Sequence, residues 1–312
     1  MNDAILHAVA RLPRAPGVYR FRDEARVTLY LGRATDLRSR VASYWSDLRT
    51  RSHLVPMVAS AASVEAVACA SPHEAAWLER NLLEADKPRW NRALGGQESQ
   101  VFVRLDPDPS KPRLGVVHRP QPTPGVRFYG PYLGGSRVRL AVHGLRRVVP
   151  LELSGKRLRG TTADFAGLRG VSSADREELV ERAAAVLDRE PAAVDWALAG
   201  LRALRDRASS ALAYELAAII HDEIRGMEWV TSLQRVTSAD GGDFEVRAWH
   251  DGVAVEFGVR SGRLREWRQE ARPRPEPDSG PEPGSGPEPG SRPAGLAELA
   301  RHAAELAAAM RL

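Results

Sequence analysis

One glutamate falls on what the sequence predicts to be the buried face of a helix. Ser71-Pro72-His73-Glu74 combines an N-cap serine, a proline at the first helical position and a glutamate three residues after the cap, which predicts a helix to about Asp86. The residues three and four positions from Glu79 are all apolar: Ala75, Ala76, Leu82 and Leu83. Because a buried carboxylate needs a cationic partner or a metal, Glu79 is a candidate for a buried Glu–Arg ion pair or for a metal ligand.

Two tyrosines on neighbouring predicted strands are the next candidates. Gly17-Val18-Tyr19-Arg20-Phe21 and Thr28-Leu29-Tyr30-Leu31 are typical of strands, and the charged segment between them favours a hairpin. Each tyrosine lies two residues from a glycine, Gly17 or Gly32, and glycine lets another group approach the backbone closely. Ordinary cross-strand aromatic packing would also explain the two tyrosines, so the pair alone does not establish a functional role.

Three arginines follow the second strand. Arg33, Arg38 and Arg40 lie near the start of a helix that Thr35-Asp36 would cap and that would end near Trp45. A guanidinium group suits bidentate contact with phosphate, although Arg38 and Arg40 could simply form a solvated helix face. All but three of the 45 lysine and arginine residues are arginine, and the net charge is +5. A GC-rich coding sequence would also favour arginine, so the charge permits a polyanionic partner without establishing one.

The elements that must position these residues follow the order ββααβα over residues 1–95. After the hairpin and its following helix, the pattern predicts a second helix at about His53–Ala62 and a strand at Ser63–Ala70. The helix that carries Glu79 comes last. This order predicts an α/β (α+β) domain with a central sheet flanked by helices.

The remainder of the chain divides by composition and hydrophobic periodicity. Strands are expected within 98–119, a helix from Ser136, and a β meander with a turn at Asp251-Gly252. Residues 271–294 are dominated by Pro, Gly, Ser and Glu and contain GPEPGS twice, which predicts a flexible, disordered linker. The expected segments are, in order, 1–95, 96–150, 151–232, 233–270, 271–294 and 295–312.

Apolar stripes predict a helical hairpin within residues 151–232 and an amphipathic helix at the C-terminus. The first stripe of the hairpin is Val194, Leu198, Leu201 and Leu204, and the second is Leu212, Leu216, Ile219, Ile220, Ile224 and Met227. We expect the break between the two helices at 208–210. The C-terminal helix has the stripe Leu296, Leu299, Ala303, Leu306 and Met310, and it could dock on this chain or on a partner.

The composition excludes several classes of protein. Cys69 is the only cysteine, which excludes an internal disulfide, a Cys-based zinc site and an iron–sulfur cluster. No apolar run approaches the ~18 residues that a membrane helix needs, and Met1–Arg11 lacks the layout of a signal peptide. We therefore expect a cytoplasmic protein without membrane association, in which Cys69 is a buried structural thiol.

Taken together, the candidate residues follow the order and spacing of a known nuclease family. The segments that carry the likeness are Gly17-Val18-Tyr19, Tyr30-Leu31-Gly32-Arg33-Ala34, Asp36–Val41, Glu79 and Pro88-Arg89-Trp90-Asn91. They resemble the motifs of the GIY-YIG nuclease family, and the chain is most similar to the N-terminal half of bacterial UvrC, the excinuclease subunit of nucleotide excision repair. The resemblance covers roughly residues 12–270 and is most specific in the first ninety.

The resemblance implies a role for each motif residue. Glu79 would hold Mg²⁺ or Mn²⁺, mostly through waters, and Tyr19 would act as the general base if the metal and nearby arginines lowered its pKa. The other residues implied at the site are Tyr30, which would orient water or phosphate, Arg40 and Arg33, which would stabilise phosphate charge, Tyr44, which would line the site, Asn91, which would brace it, the motif glycines Gly17 and Gly32, and Arg38, which would contact DNA.

A second part of the resemblance concerns a partner protein. Residues 212–230 resemble the UVR helical hairpin, a module that pairs with the UvrB damage-binding subunit. The partner-binding residues implied here are Tyr214, Glu215, Ile219 and Ile224, whereas Ile220 and His221 depart from the usual UVR pattern. The expected partners are therefore damaged duplex DNA and a UvrB-type subunit, with no nucleotide cofactor.

The chain departs from the UvrC pattern in three further places. Arg33 stands where UvrC usually has lysine, and Pro150–Gly160 lacks the cysteine cluster that UvrC often carries. Residues 241–270 resemble only the opening strands of the second, RNase H-like nuclease domain of UvrC, with no room afterwards for its acidic catalytic set. The resemblance therefore implies one nuclease centre, which would make the 3′ incision as in short Cho-type homologues, without the 5′ incision.

These observations favour a metal-dependent, structure-selective DNA endonuclease that cuts on the 3′ side of a lesion. One alternative is a non-catalytic repair adaptor that binds DNA and UvrB. A second alternative is a GIY-YIG nuclease that acts on other branched DNA. The intact set of Tyr19, Tyr30, Arg40, Glu79 and Asn91 argues against the adaptor, and the UvrC-like sequence after it argues against the other nuclease.

Overall fold

The computed structural model describes residues 3–46, 49–91, 99–238, 241–272 and 292–311. The chain divides into two compact units. Unit 1 combines Met1–Gln97 with Leu233–Leu312, and unit 2 spans Glu98–Ser232. No helix in the described ranges is long and apolar enough to cross a membrane.

The first part of unit 1 is a small antiparallel sheet surrounded by helices. Its elements are α1 (Asp3–Arg11), β1 (Gly17–Arg22), β2 (Thr28–Ala34), α2 (Leu37–Ser46), a 3-10 helix (Arg49–Leu54), α3 (Val55–Ser60), β3 (Ser63–Ala68) and α4 (Pro72–Ala85). The strand order is β2-β1-β3, so β1 is central and β2 lies at an edge. The predicted ββααβα order is confirmed, and α1 precedes it.

Local sequence signals set the starts of the two helices that matter most for the candidate residues. The carboxylate of Asp36 accepts a hydrogen bond from the N–H of Ser39 at 2.8 Å, which caps α2. The hydroxyl of Ser71 accepts one from the N–H of Glu74 at 3.0 Å, which caps α4. The Glu74 carboxylate in turn accepts a hydrogen bond from Ala70 N–H at 2.8 Å. Both predicted N-terminal caps are therefore present.

One face of this sheet forms the core of the first part of unit 1. Side chains alternate between the faces of a strand, so Tyr19 and Phe21 of β1 point to the same side. Both are fully buried, and Leu37 and Val41 of α2 belong to the same core. Burial contributes roughly 1.5–3 kcal/mol for each large apolar side chain, which fixes α2 against β1.

Unit 2 is a second antiparallel sheet covered by helices. Its elements are β4 (Gln100–Asp106), β5 (Arg113–Val117), β6 (Arg127–Leu133), α5 (Gly135–Val148), a 3-10 helix (Leu151–Ser154), α6 (Thr161–Leu168), α7 (Arg176–Leu187), α8 (Pro191–Ser210) and α9 (Tyr214–Thr231). The strand order is β5-β4-β6. A Cβ on Gly226 of α9 would lie 2.7 Å from backbone atoms of α5, so only glycine allows this close crossing. The strands expected within 98–119 are confirmed, whereas β6 and α6 were not anticipated.

The helical hairpin of unit 2 differs from its prediction in two respects. The expected break at 208–210 is wrong, because α8 continues to Ser210. The chain turns at Leu212, which has a left-handed φ of 59° and closes the helix end with hydrogen bonds from its own N–H and that of Ala213. The predicted second stripe is also only partly buried: Ile220, Ile224 and Met227 lie in the core, but Leu212, Leu216 and Ile219 are exposed. The buried face of α9 therefore begins only at Ile220.

The C-terminal part of unit 1 is a β meander followed by a helix. Its elements are β7 (Phe244–His250), β8 (Val253–Arg260), β9 (Arg263–Ala271) and α10 (Arg292–Arg311). Asp251 and Gly252 both have positive φ, at 40° and 74°, which matches the predicted hairpin turn between β7 and β8. The linker expected at 271–294 is bounded by the end of β9 and the start of α10, and its residues 273–291 lie outside the described residues.

The terminal helix docks on its own chain. The side chains of Leu296, Leu299, Ala303 and Met310 are buried, as their helical spacing predicts. α10 packs against β3 and α1 of the first part of unit 1 and against β7 and β8 of the meander. Of the two possibilities that the sequence left open, the structure therefore shows the intramolecular one.

Buried charges tie the meander and the segment before it to the first part of unit 1. The guanidinium group of Arg20 on β1 lies 3.8 Å from the ring centroid of Trp267 on β9 and donates to its carbonyl oxygen at 2.7 Å. Arg20 also pairs with the Glu65 carboxylate on β3 at 2.5 Å. A second pair joins Arg235 to Glu74 of α4 through two hydrogen bonds of 2.8 and 2.9 Å.

Arg235→Met should lower the free energy of unfolding by roughly 3–5 kcal/mol, because it leaves a buried carboxylate without its cation. The side chain of Glu74 is 0% exposed, so water cannot replace the lost guanidinium group. Urea denaturation followed by circular dichroism measures the change. Arg268→Met is the matched control, because its side chain is 57% exposed, and it should cost less than ~1 kcal/mol. Equal losses in the two variants would contradict the importance assigned to the buried pair.

Candidate active site

The candidate residues meet at the free edge of β2. A strand at the edge of a sheet leaves backbone N–H and C=O groups that need other partners. The side chain of Asn91 supplies both partners for Leu31: its Oδ1 accepts from Leu31 N–H at 3.0 Å, and its Nδ2 donates to Leu31 O at 2.7 Å. Two residues further along, Glu79 Oε1 accepts from the backbone N–H of Arg33 at 3.2 Å. The edge of β2 therefore holds Asn91 and Glu79 on neighbouring backbone groups.

Three tyrosines form a cluster beside this edge. Tyr19 comes from β1, Tyr30 from β2 and Tyr44 from α2, with ring centroids 5.9–6.3 Å apart. The phenol oxygens of Tyr19 and Tyr44 share a hydrogen bond of 2.8 Å, and Tyr44 is also hydrogen-bonded to Tyr30. The aromatic packing that the sequence suggested as an alternative is thus present, together with a continuous chain of phenol groups.

Arg40 brings a positive charge to the tyrosine cluster. Its Nε donates to the Tyr19 phenol oxygen at 3.3 Å, and its guanidinium group lies 5.7 Å from the centroid of the Tyr44 ring. Arg40 is placed on the first turns of α2, whose cap at Asp36 sets the start of the helix. The spacing from Asp36 to Arg40 therefore directs the guanidinium group towards the phenols.

Gly32 makes room for the cluster on β2. A Cβ at this position would lie 2.8 Å from the Tyr19 phenol oxygen and 2.8 Å from Cε1 of Tyr30. Such distances are well inside van der Waals contact, so any larger residue would push the two phenols apart. From the sequence, another group was expected to lie close to the backbone at Gly32, and the structure shows that the side chains of Tyr19 and Tyr30 are those groups.

Burial changes the acidity of the phenols. It raises the pKa of Tyr19 to about 12, and neighbouring Tyr30 adds to the rise while Arg40 opposes it. The pKa of Tyr30 is raised above its usual range by burial first, then by Tyr44 and by the Glu79 carboxylate. Arg40 lowers the pKa of Tyr19, in the direction expected for nearby arginines, but desolvation by burial outweighs this effect.

Glu79 lies on α4 with its carboxylate turned to the edge of β2. Its side chain is 11% exposed and forms an ion pair with Arg33, whose Nε is 3.3 Å from Glu79 Oε2. The ion pair that the sequence left open is therefore present. It is not sealed from solvent, because the side chain of Arg33 is 34% exposed. The negative charge of Glu79 helps to raise the pKa of Tyr30, so the carboxylate and the phenols are close enough to influence one another.

The donor set fits a hard divalent cation. Among the described residues, no three His, Cys, Asp or Glu side chains gather as a metal cluster. A site built on the Glu79 carboxylate would take most of its ligands from water and substrate phosphate, which is a common arrangement for Mg²⁺. The partly open, oxygen-bearing edge of β2 is compatible with such a cation, which Glu79 would hold.

The remaining predicted residues have different surroundings. Gly17 approaches the carbonyl of Val67 and the side chain of Leu37, which explains the need for glycine. Arg38 uses its Nε to donate to Leu12 O at 2.6 Å, just after α1. Phe21, which the sequence analysis did not select, packs 5.1–5.7 Å from the rings of Tyr19 and Tyr44. Its position two residues after Tyr19 could have identified it, since both face the same side of β1.

The four residues expected to bind a partner do not share one environment. Tyr214 and Ile219 are 63% and 50% exposed, and Glu215 is exposed as well. Ile224 is buried in the core of unit 2, because it lies on the face of α9 that packs inwards. Ile224 is therefore a core residue and is not available to a partner in this conformation.

Comparison with known proteins gives the same family as the sequence resemblance. The family model described as a UvrC-like GIY-YIG domain matches residues 15–92. The UvrABC system protein C of Geobacter metallireducens is 32% identical over 274 residues, which is 81% of this chain and 43% of the relative. That of Mycobacteroides abscessus is 33% identical over 282 residues, covering 84% of this chain and 41% of the relative. The chain thus spans less than half the length of these curated relatives.

One solved structure is similar to about a third of this chain. The GIY-YIG N-terminal endonuclease domain of UvrC from Thermotoga maritima, described as bound to its catalytic magnesium, is 28% identical and has a TM-score of 0.27. The match covers 29% of this chain and 99% of that domain. The family model and the relatives confirm the resemblance stated from the motifs. Residues 15–92 match a UvrC-like GIY-YIG domain, and this match is the part of the chain to which the family assignment applies.

Proposed function

We propose that this protein is a metal-dependent DNA endonuclease of nucleotide excision repair that hydrolyses a phosphodiester on the 3′ side of a lesion. The observation that carries the proposal is the convergence of Glu79, the phenol cluster and Arg40 at the edge of β2. Phosphodiester hydrolysis needs an activated water, stabilisation of the phosphate charge and a hard cation. The site offers a group for each of these needs.

Each side chain contributes through the contacts it makes. Tyr19, whose oxygen accepts a hydrogen bond from Arg40, would accept the proton of the attacking water when it is in its phenolate form. The positive charge of Arg40 lies where it can offset negative charge on the phosphate, and it also favours the ionised form of Tyr19. Tyr30 and Tyr44 orient the Tyr19 oxygen and line the space beside it.

Glu79 and Asn91 fix the geometry of the other side of the site. Mg²⁺ or Mn²⁺, when held by Glu79, would supply a Lewis acid for the scissile phosphate. Asn91 makes both hydrogen bonds to the Leu31 peptide, so it keeps β2 straight between Tyr30 and Gly32. Arg33 pairs with Glu79 and is 34% exposed, so its guanidinium group is accessible to a phosphate.

The arrangement favours a nuclease over an adaptor that only binds. An adaptor gains nothing from two buried phenols and one half-buried phenol whose ionisation burial opposes, beside a carboxylate turned to the sheet edge. Perturbed titratable groups that converge in one place are typical of catalytic sites. The similarity to the UvrABC system protein C extends over 81–84% of this chain, well beyond the GIY-YIG domain, and supports damaged DNA, rather than other branched DNA, as the substrate.

The tip of the helical hairpin supports a protein partner. Leu212, Tyr214, Leu216 and Ile219 lie within eight residues at the start of α9, and their side chains are 41–71% exposed. Apolar groups that are exposed together usually mark an interaction surface. We assign this surface to a UvrB-type subunit, with Tyr214, Glu215 and Ile219 as the contact residues.

Glu79→Gln should reduce metal-dependent incision of a lesion-bearing or pre-nicked duplex on the order of 10²–10³-fold, because it removes the charged cation ligand. Incision is measured on end-labelled DNA with Mg²⁺ or Mn²⁺ and a UvrB-type subunit present. Glu84→Gln is the control, because Glu84 lies on the same helix and pairs with Arg80, Arg263 and Arg265 away from the tyrosines. Undiminished cutting by a folded Glu79→Gln protein would overturn the assignment.

The incision rate should rise with pH between about pH 7 and 9. The pKa of Tyr19 is raised to about 12, so its ionised form is scarce at neutral pH. Each added pH unit increases that form about tenfold while pH stays below the pKa. Single-turnover rates across this range provide the measurement, and Tyr19→Phe should be slow with no such slope. A flat profile in the unchanged protein would contradict Tyr19 as the proton acceptor.

Replacing Tyr214 and Ile219 together by serine should weaken binding of a UvrB-type subunit by at least about tenfold, since exposed aromatic and aliphatic anchors dominate interfaces. Calorimetry or a pull-down with purified subunit measures the loss. Phe165→Ser is the matched control, because Phe165 is 60% exposed on α6 of the same unit and lies outside the hairpin. Unchanged affinity in the double variant would remove the hairpin from the proposed interface.

A further inference from the structure

We propose that Arg33 sets the cation affinity of this site: its guanidinium group pairs with Glu79 before the cation binds, and cation and DNA phosphate then separate the pair together. This inference rests on the proposed function of Glu79 as the metal ligand. It adds a regulatory role for Arg33, which acts on the cation through Glu79 and is therefore a positioning residue. It also predicts that metal and DNA strengthen the binding of each other.

Two different groups of the same residue contact the Glu79 carboxylate. The backbone N–H of Arg33 donates to Oε1 at 3.2 Å, and the side-chain Nε lies 3.3 Å from Oε2. The backbone group is fixed in β2, which pairs with β1 across Val18 and Arg33. The side chain is attached by rotatable bonds. One contact can therefore orient Glu79 permanently, whereas the other can be released.

The guanidinium group and a cation would compete for the same carboxylate. The Glu79 side chain is only 11% exposed, and its Oε2 lies 3.3 Å from Arg33 Nε. A divalent ion placed at Oε2 would lie within a few ångströms of the guanidinium charge, and like charges at that distance repel. Metal binding therefore requires Arg33 to turn away from Glu79.

The released guanidinium group has somewhere to go. The Arg33 side chain is already 34% exposed, so its guanidinium group can turn away from Glu79 into solvent. Guanidinium groups bind phosphate oxygens in a bidentate manner, and a phosphate must reach this edge if the site cuts DNA. The ion pair is thus replaced by two new contacts: the cation binds Glu79, and the phosphate binds Arg33.

This exchange has a thermodynamic consequence. If phosphate draws Arg33 away, then Glu79 is freed, and the cation binds more tightly in the presence of DNA. Linkage requires that the cation then strengthens DNA binding by the same factor. The site would hold its cation weakly until substrate arrives, which limits metal-dependent reaction to the complex with DNA.

The test is a direct Mn²⁺ titration of the full chain, with free Mn²⁺ followed by electron paramagnetic resonance, without and with a short nicked duplex. Without DNA, Arg33→Gln should bind Mn²⁺ about tenfold more tightly than the unchanged protein, since a competing cation has been removed. Arg33→Lys should be intermediate, because it keeps the charge and loses the planar fork. DNA should tighten Mn²⁺ binding by a larger factor in the unchanged protein than in Arg33→Gln, because phosphate ligands help both proteins whereas release of Arg33 helps only the first. Equal factors in the two proteins would contradict the exchange.

Two controls separate the possible failures. Arg80→Gln lies on α4 and pairs with Glu84, so it should leave the affinity for Mn²⁺ unchanged. Glu79→Gln should abolish the Mn²⁺ site; if it binds as before, the proposed metal ligand itself is wrong. If Glu79→Gln loses binding but Arg33→Gln binds no more tightly than the unchanged protein, only the role of Arg33 is overturned.

Discussion

The open edge of β2 is the constraint on which the site depends. Peptide groups at a sheet edge are costly to leave without partners when side chains bury them. Here Asn91 hydrogen-bonds to both the N–H and the C=O of Leu31, and Glu79 accepts from the Arg33 N–H. Helix α4 and the segment that ends at Asn91 are therefore both held at fixed positions along β2. The carboxylate proposed to bind the cation is therefore positioned by the same hydrogen bonds that complete the sheet. Chemistry and fold stability share these contacts.

Successive side chains of the central strand β1 point to opposite faces of the sheet, so Tyr19 and Arg20 have different surroundings. Tyr19 faces the phenol cluster and the core of the first part of unit 1, whereas Arg20, the next residue, faces Trp267 and Glu65. The C-terminal meander thus contacts the strand that carries the proposed proton acceptor through the residue next to Tyr19. A buried cation stacked on an indole ring and paired with a carboxylate is stable only when all its partners are in place. The meander and α10 are accordingly part of the structural unit that holds the site.

In the proposed mechanism, two electrostatic effects would hold the site inactive until substrate binds. Burial raises the pKa of Tyr19 to about 12 against the influence of Arg40, and Arg33 pairs with the carboxylate that a cation would use. Both effects would weaken when a cation and a phosphate enter, because each brings a charge that compensates one of these groups. The proposed exchange at Arg33 and the high pKa of Tyr19 thus describe one property, an active site completed by its substrate.

The amino-acid sequence determined the elements and the residue set of this site. The hairpin, the caps at Asp36 and Ser71 and the apolar face around Glu79 follow from local periodicity and hydrogen-bonding preferences, and the structure confirms them. Sequence also predicted the turn at Asp251-Gly252 and the buried stripe of α10. It could not choose between an ion pair and a metal ligand for Glu79, because both satisfy a buried carboxylate equally well.

Only the tertiary structure decided which partners these residues have. Leu212 has a left-handed φ after α8, and Leu212, Leu216 and Ile219 are exposed. Both features depend on which helix packs on which face, and an apolar stripe in the sequence does not show which element will pack against it. The β meander and α10 join the first part of the chain through contacts between residues far apart in sequence. The desolvation that raises the pKa of Tyr19 arises from such contacts as well. The sequence of a segment determines which of its faces can be buried. Tertiary packing determines which other segment covers that face.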